Sequence, residues 1–469
     1  MDKKEFKKYG YEMVDWIADY LEEVETYPVK SQVEPGDIKE LLPDSPPREG
    51  EDMESIWQDF KQDILPGITH WQHPGWFAYF PANNSPASIL GELLSAGLGI
   101  QGMVWATSPA AEELEEVVMK WLRDMLGLPS EFTGVIQDTA STATLTALLT
   151  AREQTTNFVS NKEGVPENLR VYASDQTHSS IEKGVRLAGF GSDNLVNIAS
   201  DENYALSPEK LKQAIKKDRE QGKRPACVVA TIGTTSSTAI DPLEEIGKIC
   251  EEEDIWLHVD AAFAGTAAML EEKQHFLAGI ENVDSFVFNP HKWMLTNFDC
   301  SAYFVRKPQA LIKTMSMNPE YLKTAHDGEV NNYRNWGIQL GRRFRALKLW
   351  FVLRDYGTEG LKKMVRKHLN LAEKFKTWIE QSENFELMAP VSVSLVCFRW
   401  NNGEYSEDDL NEFNQKLLEK INNSGDVYLT HTELEDKFTI RLAVGQRTTE
   451  IEHVERAWDI IQNSAAKLE

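Results

Sequence analysis

Ile255-Trp256-Leu257-His258-Val259-Asp260-Ala261-Ala262 and, further on, Ser285-Phe286-Val287-Phe288-Asn289-Pro290-His291-Lys292-Trp293 decide how this chain is read. Each begins as a short apolar run rich in β-branched or aromatic residues, and each then meets one charged residue among small or polar neighbours. Runs that are apolar at consecutive positions belong to strands covered on both faces. A third such run spans residues 227–232. Helical patterns lie between them. Over residues 110–126, Leu114, Val117, Val118, Trp121, Leu122 and Met125 recur on one face. Ser207-Pro208 reads as an N-cap followed by a first-turn proline, opening a helix to about Asp218. This alternation over residues 85–310 predicts an α/β domain with a mainly parallel sheet.

The flanks differ. Residues 5–26 form an amphipathic pattern with Met13, Trp16, Ile17, Tyr20, Leu21 and Val24 at helical spacing. Residues 31–50 carry Pro35, Pro43, Pro46 and Pro47 among charges and read as an extended linker. The tail reads as a helix around 366–381, strands near 394–400 and 438–444, and helices near 406–422 and 449–462. The expected organisation is an N-terminal helical segment (1–84), a large α/β domain (85–365) and a small α+β domain (366–469).

A formal charge of -25 argues against a surface for nucleic acid or anionic membrane, both of which need basic patches. Cys227, Cys250, Cys300 and Cys397 are widely spaced and suit free thiols in a reducing compartment. The first residues lack the apolar run of a signal peptide, and no uncharged stretch approaches a membrane span. The expectation is a soluble, cytoplasmic enzyme without a metal.

A strand ending in Asp and a later strand ending in Lys fit pyridoxal phosphate chemistry. The lysine amine condenses with the cofactor aldehyde, and the carboxylate keeps the pyridine nitrogen protonated. Each residue also has an ordinary reading. Lys292 could be a surface charge and Asp260 a turn or N-cap residue, although Ala261, Ala262, Ala264 and Gly265 would let a flat ring approach. Thr139-Ala140-Ser141-Thr142 supplies N–H and O–H donors at the start of a helix, as a phosphate needs, and equally as simple capping needs. Asp138 complicates a phosphate site, because a carboxylate there is repulsive unless it points away. His178, in a polar loop after Val171-Tyr172, fits a solvated residue or a ring stacked on a planar cofactor. Thr235 lies in a hydroxyl-rich strand exit, by default a turn.

Taken in order, these segments resemble the group II pyridoxal-phosphate-dependent amino-acid decarboxylases, and among them the aromatic-L-amino-acid decarboxylases. The resemblance extends through Pro66-Gly67-Ile68-Thr69-His70-Trp71, Phe77-Ala78-Tyr79-Phe80-Pro81 and Trp105-Ala106-Thr107-Ser108-Pro109-Ala110. It continues through Gly341-Arg342-Arg343-Phe344-Arg345 to Asp436-Lys437-Phe438. It implies fold type I with a mainly parallel seven-stranded sheet. It makes Lys292 the cofactor lysine, Asp260 the partner of the ring nitrogen, His178 the residue on one ring face and Ala262 the small residue on the other. Ala140, Ser141, Asn289 and His291 become phosphate positions, and Thr235 the threonine near the catalytic histidine. Tyr321 matches the tyrosine of a mobile loop, spanning residues 313–328, that protonates the α-carbon.

The resemblance also implies a homodimer with shared active sites, in which Gln101, Met103, Leu340 and Gly341 come from the neighbouring subunit and the N-terminal segment wraps the partner. Trp71, Tyr79, Phe80 and Pro81 form an apolar aromatic wall. Ala82, Gln101 and Met103 stand where animal members carry Thr, Ile and Phe, and Asp138-Thr139 stands where the family often has Gly-Ser. Tryptophan, 5-hydroxytryptophan, tyrosine, dopa or phenylalanine would yield the arylalkylamine and carbon dioxide. Two rival chemistries are a decarboxylase for acidic or imidazole side chains, which would want a polar pocket, and an aldehyde synthase, in which Tyr321 tends to be Phe. A catalytically dead scaffold would have lost Lys292, Asp260 or His178, and all three are present.

Overall fold

The computed structural model describes residues 1–317 and 328–469. They form two compact units, one of Ala82–Glu373 with Ala389–Cys397, the other of Met1–Pro81, Lys374–Met388 and Phe398–Glu469.

The first unit is built on seven strands: β1 (Thr133–Gln137), β2 (Leu169–Ser174), β3 (Leu195–Ile198), β4 (Arg224–Thr231), β5 (Trp256–Asp260), β6 (Ser285–Phe288) and β7 (Ser301–Val305). Their order is β1-β7-β6-β5-β4-β2-β3. Strands β2 to β6 pair in parallel, while β7 runs antiparallel to both β6 and β1. The mainly parallel sheet expected from the alternation is present. Every residue of β5, β6 and β7 is buried, which explains continuous apolar runs where a half-exposed sheet would show alternation.

Helix Ala140–Thr155 packs on this sheet through Ala143, Ala147, Leu148 and Ala151, in one core with Val135, Val171, Val229 and Val287. Alanine at these positions lets the helix approach closely, which brings its N-terminus to the strand ends. Helix Pro109–Leu126 starts at Ser108, whose side chain accepts from Ala111 N–H, and stops at Gly127 with φ 74°. Helix Pro208–Glu220 starts at Ser207 as expected.

Two readings change. The helix expected around 366–381 is the end of Arg345–Gln381, a helical run interrupted only at Gly357 (φ 61°, ψ 171°). Its buried stripe already includes Leu361, Met364 and Val365. The proline-rich stretch 31–50 contains one helical turn, Asp37–Leu41.

The other unit contains β8 (Phe385–Leu387), the hairpin of β10 (Thr430–Leu434) with β11 (Lys437–Ala443), and helices Glu407–Asn422 and Ile451–Ala466. With β9 (Leu395–Trp400) these strands give the order β10-β11-β9-β8. Helix Lys3–Glu23 begins with a capping box at Asp2 and buries none of its residues. Trp16 meets Trp57 and Phe60 edge-on at 5.6 and 5.7 Å, while Phe6 and Tyr11 remain exposed. All four cysteines are buried free thiols. Among the described residues, no helix is long and apolar enough to cross a membrane.

Candidate active site

In a parallel sheet, loops at the carboxyl ends of neighbouring strands converge. Here the register places Thr231, Asp260 and Val287 side by side, so the exits of β4, β5 and β6 open together. Asp260 is buried, and its Oδ1 accepts the Ala262 N–H at 3.0 Å. Asn289 N–H donates to the Ala262 carbonyl at 3.0 Å, which stitches the two exits together. The neighbours must be small. A Cβ on Gly265 would sit 2.8 Å from Phe288 Cβ, and one on Gly233 (φ 85°) 2.6 Å from Ala264 Cβ.

Lys292 lies half-buried on the short helix Pro290–Trp293. The next side chain anchors that helix. Trp293 is fully buried, stacks on Phe263 at 4.6 Å and donates Nε1–H to His368 Nδ1 at 2.8 Å. Asn83 Nδ2 donates to the Lys292 carbonyl at 2.8 Å, a contact unmarked in the sequence, where Asn83 reads only as loop.

His178 follows β2. Its Nδ1 accepts the Ser180 N–H at 3.1 Å and lies 2.8 Å from Ser180 Oγ. Part of the ring is open to solvent. Partial burial first, and then the Lys292 ammonium, lower its pKa, while the Asp260 carboxylate works the other way. His178 is therefore acted on electrostatically by both Asp260 and Lys292 across the strand exits. With Nδ1 accepting, a neutral His178 carries its proton on Nε2. Thr235 is half-buried in the same group of exits, after β4.

The expected phosphate positions also converge. Thr139 caps helix Ala140–Thr155, so the N–H groups of Ala140 and Ser141 precede the first intrahelical bonds. Ser141 is exposed. Ser301 Oγ donates to Asn289 Oδ1 at 2.7 Å, which fixes the amide and leaves Nδ2 as its donor end. Cys300 N–H donates to His291 Nδ1 at 2.9 Å. Burial, then Lys292, pulls the His291 pKa down to about 3, so the ring is neutral and its single proton is on Nε2. Backbone N–H, hydroxyl, amide and imidazole donors are a fitting set for a phosphate, and the one carboxylate beside them, Asp138, is held by the Thr139 N–H and Gln339 Nε2. With Asp260 and Lys292 beyond them, the residues present fit pyridoxal phosphate.

Gln101, Met103, Leu340 and Gly341 form one edge. Arg342 N–H donates to Gln101 Oε1 at 2.7 Å, Arg334 N–H donates to the Met103 carbonyl at 3.0 Å, and a Cβ on Gly341 would lie 3.1 Å from Gln101 Nε2. Gln101, Leu340 and Gly341 are exposed, and Ala82 is half-buried. In the other unit, Trp71 stacks on Trp76 at 4.1 Å and on Tyr79 at 6.0 Å. Phe80 is buried beneath the Arg441 guanidinium, and Pro81 packs against Gly445. Tyr321 lies outside the described residues. Among the described residues, no cluster of three His, Cys, Asp or Glu side chains is placed to hold a metal.

Sequence reading missed His258, two residues before Asp260 and fully buried. Its Nδ1 lies 2.9 Å from Ser285 Oγ and its Nε2 3.2 Å from Thr144 Oγ1, tying β5 to β6 and to helix Ala140–Thr155. Burial holds its pKa at about 4. The unfolded chain takes up this proton below about pH 6.5, whereas the folded protein waits until about pH 4. Stability from this site is complete above the unfolded value and falls as pH drops through that window. Between about pH 7 and about pH 5, urea unfolding of the parent is expected to lose about 2 kcal/mol more than that of His258→Asn. Equal losses in the two proteins would show that His258 is not held neutral.

Residues 35–401 match the Pyridoxal-dependent decarboxylase conserved domain. The chain is 45% identical over its whole length to tryptophan decarboxylase 2 of Oryza sativa subsp. japonica, covering 96% of that protein. It is 46% identical over its whole length to phenylacetaldehyde synthase of Arabidopsis thaliana, covering 97% of it. The crystal structure of Oryza sativa TDC with PLP and tryptamine superposes with a TM-score of 0.97 at 37% identity, covering 100% of this chain and 99% of that one. The donor set, the Lys292–Asp260–His178 convergence and this end-to-end similarity agree: the chain belongs to the pyridoxal-dependent decarboxylase family.

Proposed function

We propose that this protein is a homodimeric decarboxylase that uses pyridoxal phosphate to convert aromatic L-amino acids into arylalkylamines and carbon dioxide. The observation that carries the reading is that Lys292, Asp260 and His178 follow β6, β5 and β2 of one parallel run of strands, with both charges acting on His178, beside a set of neutral phosphate donors. The aromatic class of the substrate follows from the rice and Arabidopsis relatives and from the Trp71, Tyr79, Phe80 and Pro81 wall.

When bound, pyridoxal phosphate supplies an aldehyde for the substrate amine and a ring that accepts the electron pair left as carbon dioxide departs. The protein's own groups do the rest. Lys292 would be the amine that holds the cofactor through its aldehyde, in exchange with the amines of substrate and product. Asp260 holds a proton on the ring nitrogen, which makes the ring an effective electron acceptor. His178 covers one ring face, and its Nε2–H is a neutral donor for the substrate carboxylate. Ala262 leaves the other face open to a flat ring. Ser141, Asn289 and His291 hold the phosphate and so fix the ring's position. Thr235 supports His178 from the next strand exit. Tyr321 delivers the proton to the α-carbon.

Residues 1–84 are proposed as the dimerisation segment, ahead of the cofactor domain at 85–365 and the small domain at 366–469. Gln101, Met103, Leu340 and Gly341 are proposed to serve the partner's site. The exposure of Leu90, Leu93, Leu94 and Leu98 along helix Pro86–Leu98 supports an association surface, since large contiguous apolar patches are rarely left to solvent. The free, buried cysteines support a cytoplasmic location.

The decisive experiment presents aromatic and acidic L-amino acids to the enzyme and identifies the products. Arylalkylamine from an aromatic acid is the expected result. Amine only from acidic substrates would overturn the substrate class. The Arabidopsis relative favours a second reading, aldehyde synthesis with release of ammonia and peroxide. Stoichiometric peroxide from the parent enzyme would establish it, whereas peroxide that rises only in Tyr321→Phe keeps decarboxylation as the function.

A further inference from the structure

Asp138 stands in the turn between β1 and helix Ala140–Thr155, one residue before the N-cap Thr139. Its Oδ1 accepts the Thr139 N–H at 2.6 Å and is 3.4 Å from Thr139 Oγ1, and its Oδ2 accepts Gln339 Nε2–H at 2.9 Å. Its carbonyl lies 3.3 Å from Ser301 Oγ, the hydroxyl that fixes Asn289. The residue is thus built into both walls of the phosphate cradle. Two consequences follow. The Thr139 N–H, a donor at the start of the helix, is consumed by a carboxylate and lost to a ligand. A negative charge is also fixed beside the place of a phosphate dianion. The two groups that hold it are neutral, and the Arg345 guanidinium, which attracts Asp138 through space, is itself hydrogen-bonded to Asp299 at 2.7 Å. No cation pairs with Asp138 among the described residues.

We propose that Asp138 limits cofactor retention: its charge opposes the phosphate, so the enzyme releases pyridoxal phosphate more readily than it would with an uncharged residue at this position. The inference rests on the cofactor reading above. Asp138 is half-buried, so its field reaches a phosphate through partly solvated surroundings, where Coulomb energies are modest and salt-screened.

The test strips cofactor from the purified enzyme and re-titrates it with pyridoxal phosphate and, separately, with pyridoxal, following quenching of tryptophan fluorescence. Asp138→Asn removes the charge and keeps an oxygen for the Thr139 N–H; its Nδ2 then donates to Gln339 Oε1 once the Gln339 amide turns over, because Gln339 Nε2 donates to the carboxylate in the parent. Its Kd for pyridoxal phosphate is expected to fall about three- to tenfold, with the advantage shrinking as salt rises, and its Kd for pyridoxal is expected to stay unchanged. Asp138→Gly, which removes charge and side chain together, is expected to shift affinity in the same direction. Parent-like or weaker phosphate-cofactor binding in both variants overturns the proposal, as does equal tightening toward pyridoxal. Should the parent itself fail to bind pyridoxal phosphate through Lys292, the cofactor reading falls and this inference with it. Parent binding without a variant effect removes the inference alone.

Discussion

Lys292→Ala is expected to lose at least about 10⁴-fold in turnover, because it removes the covalent group on which the chemistry depends. The near-visible absorption of a lysine-bound cofactor disappears with it. The fold should not suffer. Alanine keeps the main-chain bonds that hold the short helix, Lys292 N–H to the Asn289 carbonyl at 2.9 Å and the Lys292 carbonyl to Asn83 Nδ2 at 2.8 Å. The buried Trp293 continues to anchor the segment. Circular dichroism and thermal unfolding of the stripped protein should therefore match the parent. The cradle at Ala140, Ser141, Asn289 and His291 remains, so the cofactor still binds, but non-covalently, and leaves on gel filtration. Retained turnover, or a retained absorption band, would remove Lys292 from the mechanism and the cofactor assignment with it.

Asp260→Asn is expected to give the second-largest loss while leaving the cofactor covalently attached. Asparagine has nearly the same shape, and its oxygen can still accept the Ala262 N–H that Asp260 Oδ1 receives at 3.0 Å. It cannot hold a proton on the ring nitrogen as a carboxylate does. Breaking a buried ion pair by removing one partner costs about 3–5 kcal/mol, and at 1.4 kcal/mol per factor of ten that is about 10²- to 10⁴-fold in kcat. The loss should fall on kcat with KM changing much less, because the substrate amine, carboxylate and side chain meet other groups. His178 carries a second signature. Asp260 raises its pKa, and without that charge the His178 pKa should drop further. An Asp260→Asn enzyme within about fivefold of the parent's kcat would show that the carboxylate is not the electron-sink partner.

Much of this site could be read from residue types. Strand exits at Asp260 and Lys292 are visible because apolar runs stop abruptly at a charge. Ser207-Pro208 announces a helix start because capping is settled within three residues of the cap. The N-cap role of Thr139 follows the same rule. Other features were invisible for a physical reason. His258 looks like an interruption in a strand, and its neutrality depends on Ser285 and Thr144, which no local pattern connects to it. Asn83 and Gln339 sit in loops whose composition says only that they are polar, and Ser301 is a lone hydroxyl at the start of the apolar strand β7. The helical run Arg345–Gln381 was seen only in its last part because Gly357 breaks the stripe partway.

The sequence by itself determined the alternating α/β plan and the family, and it singled out the residues proposed to carry the reaction. Those depend on short-range rules: apolar runs that must be covered, caps that must satisfy the first turn, and a charge placed where a strand ends. Only the tertiary structure decided which donors face one another. Strand order brings Ser301 beside both Asn289 and the Asp138 carbonyl, and the 333–342 segment delivers Gln339 to the Asp138 carboxylate. It also set the tautomers of His178 and His291, since a backbone N–H from another position must occupy Nδ1 before Nε2 becomes the donor. Hydrogen bonds between residues far apart in the chain have no periodicity to betray them. They come into being when the sheet closes and burial makes every unpaired polar atom costly.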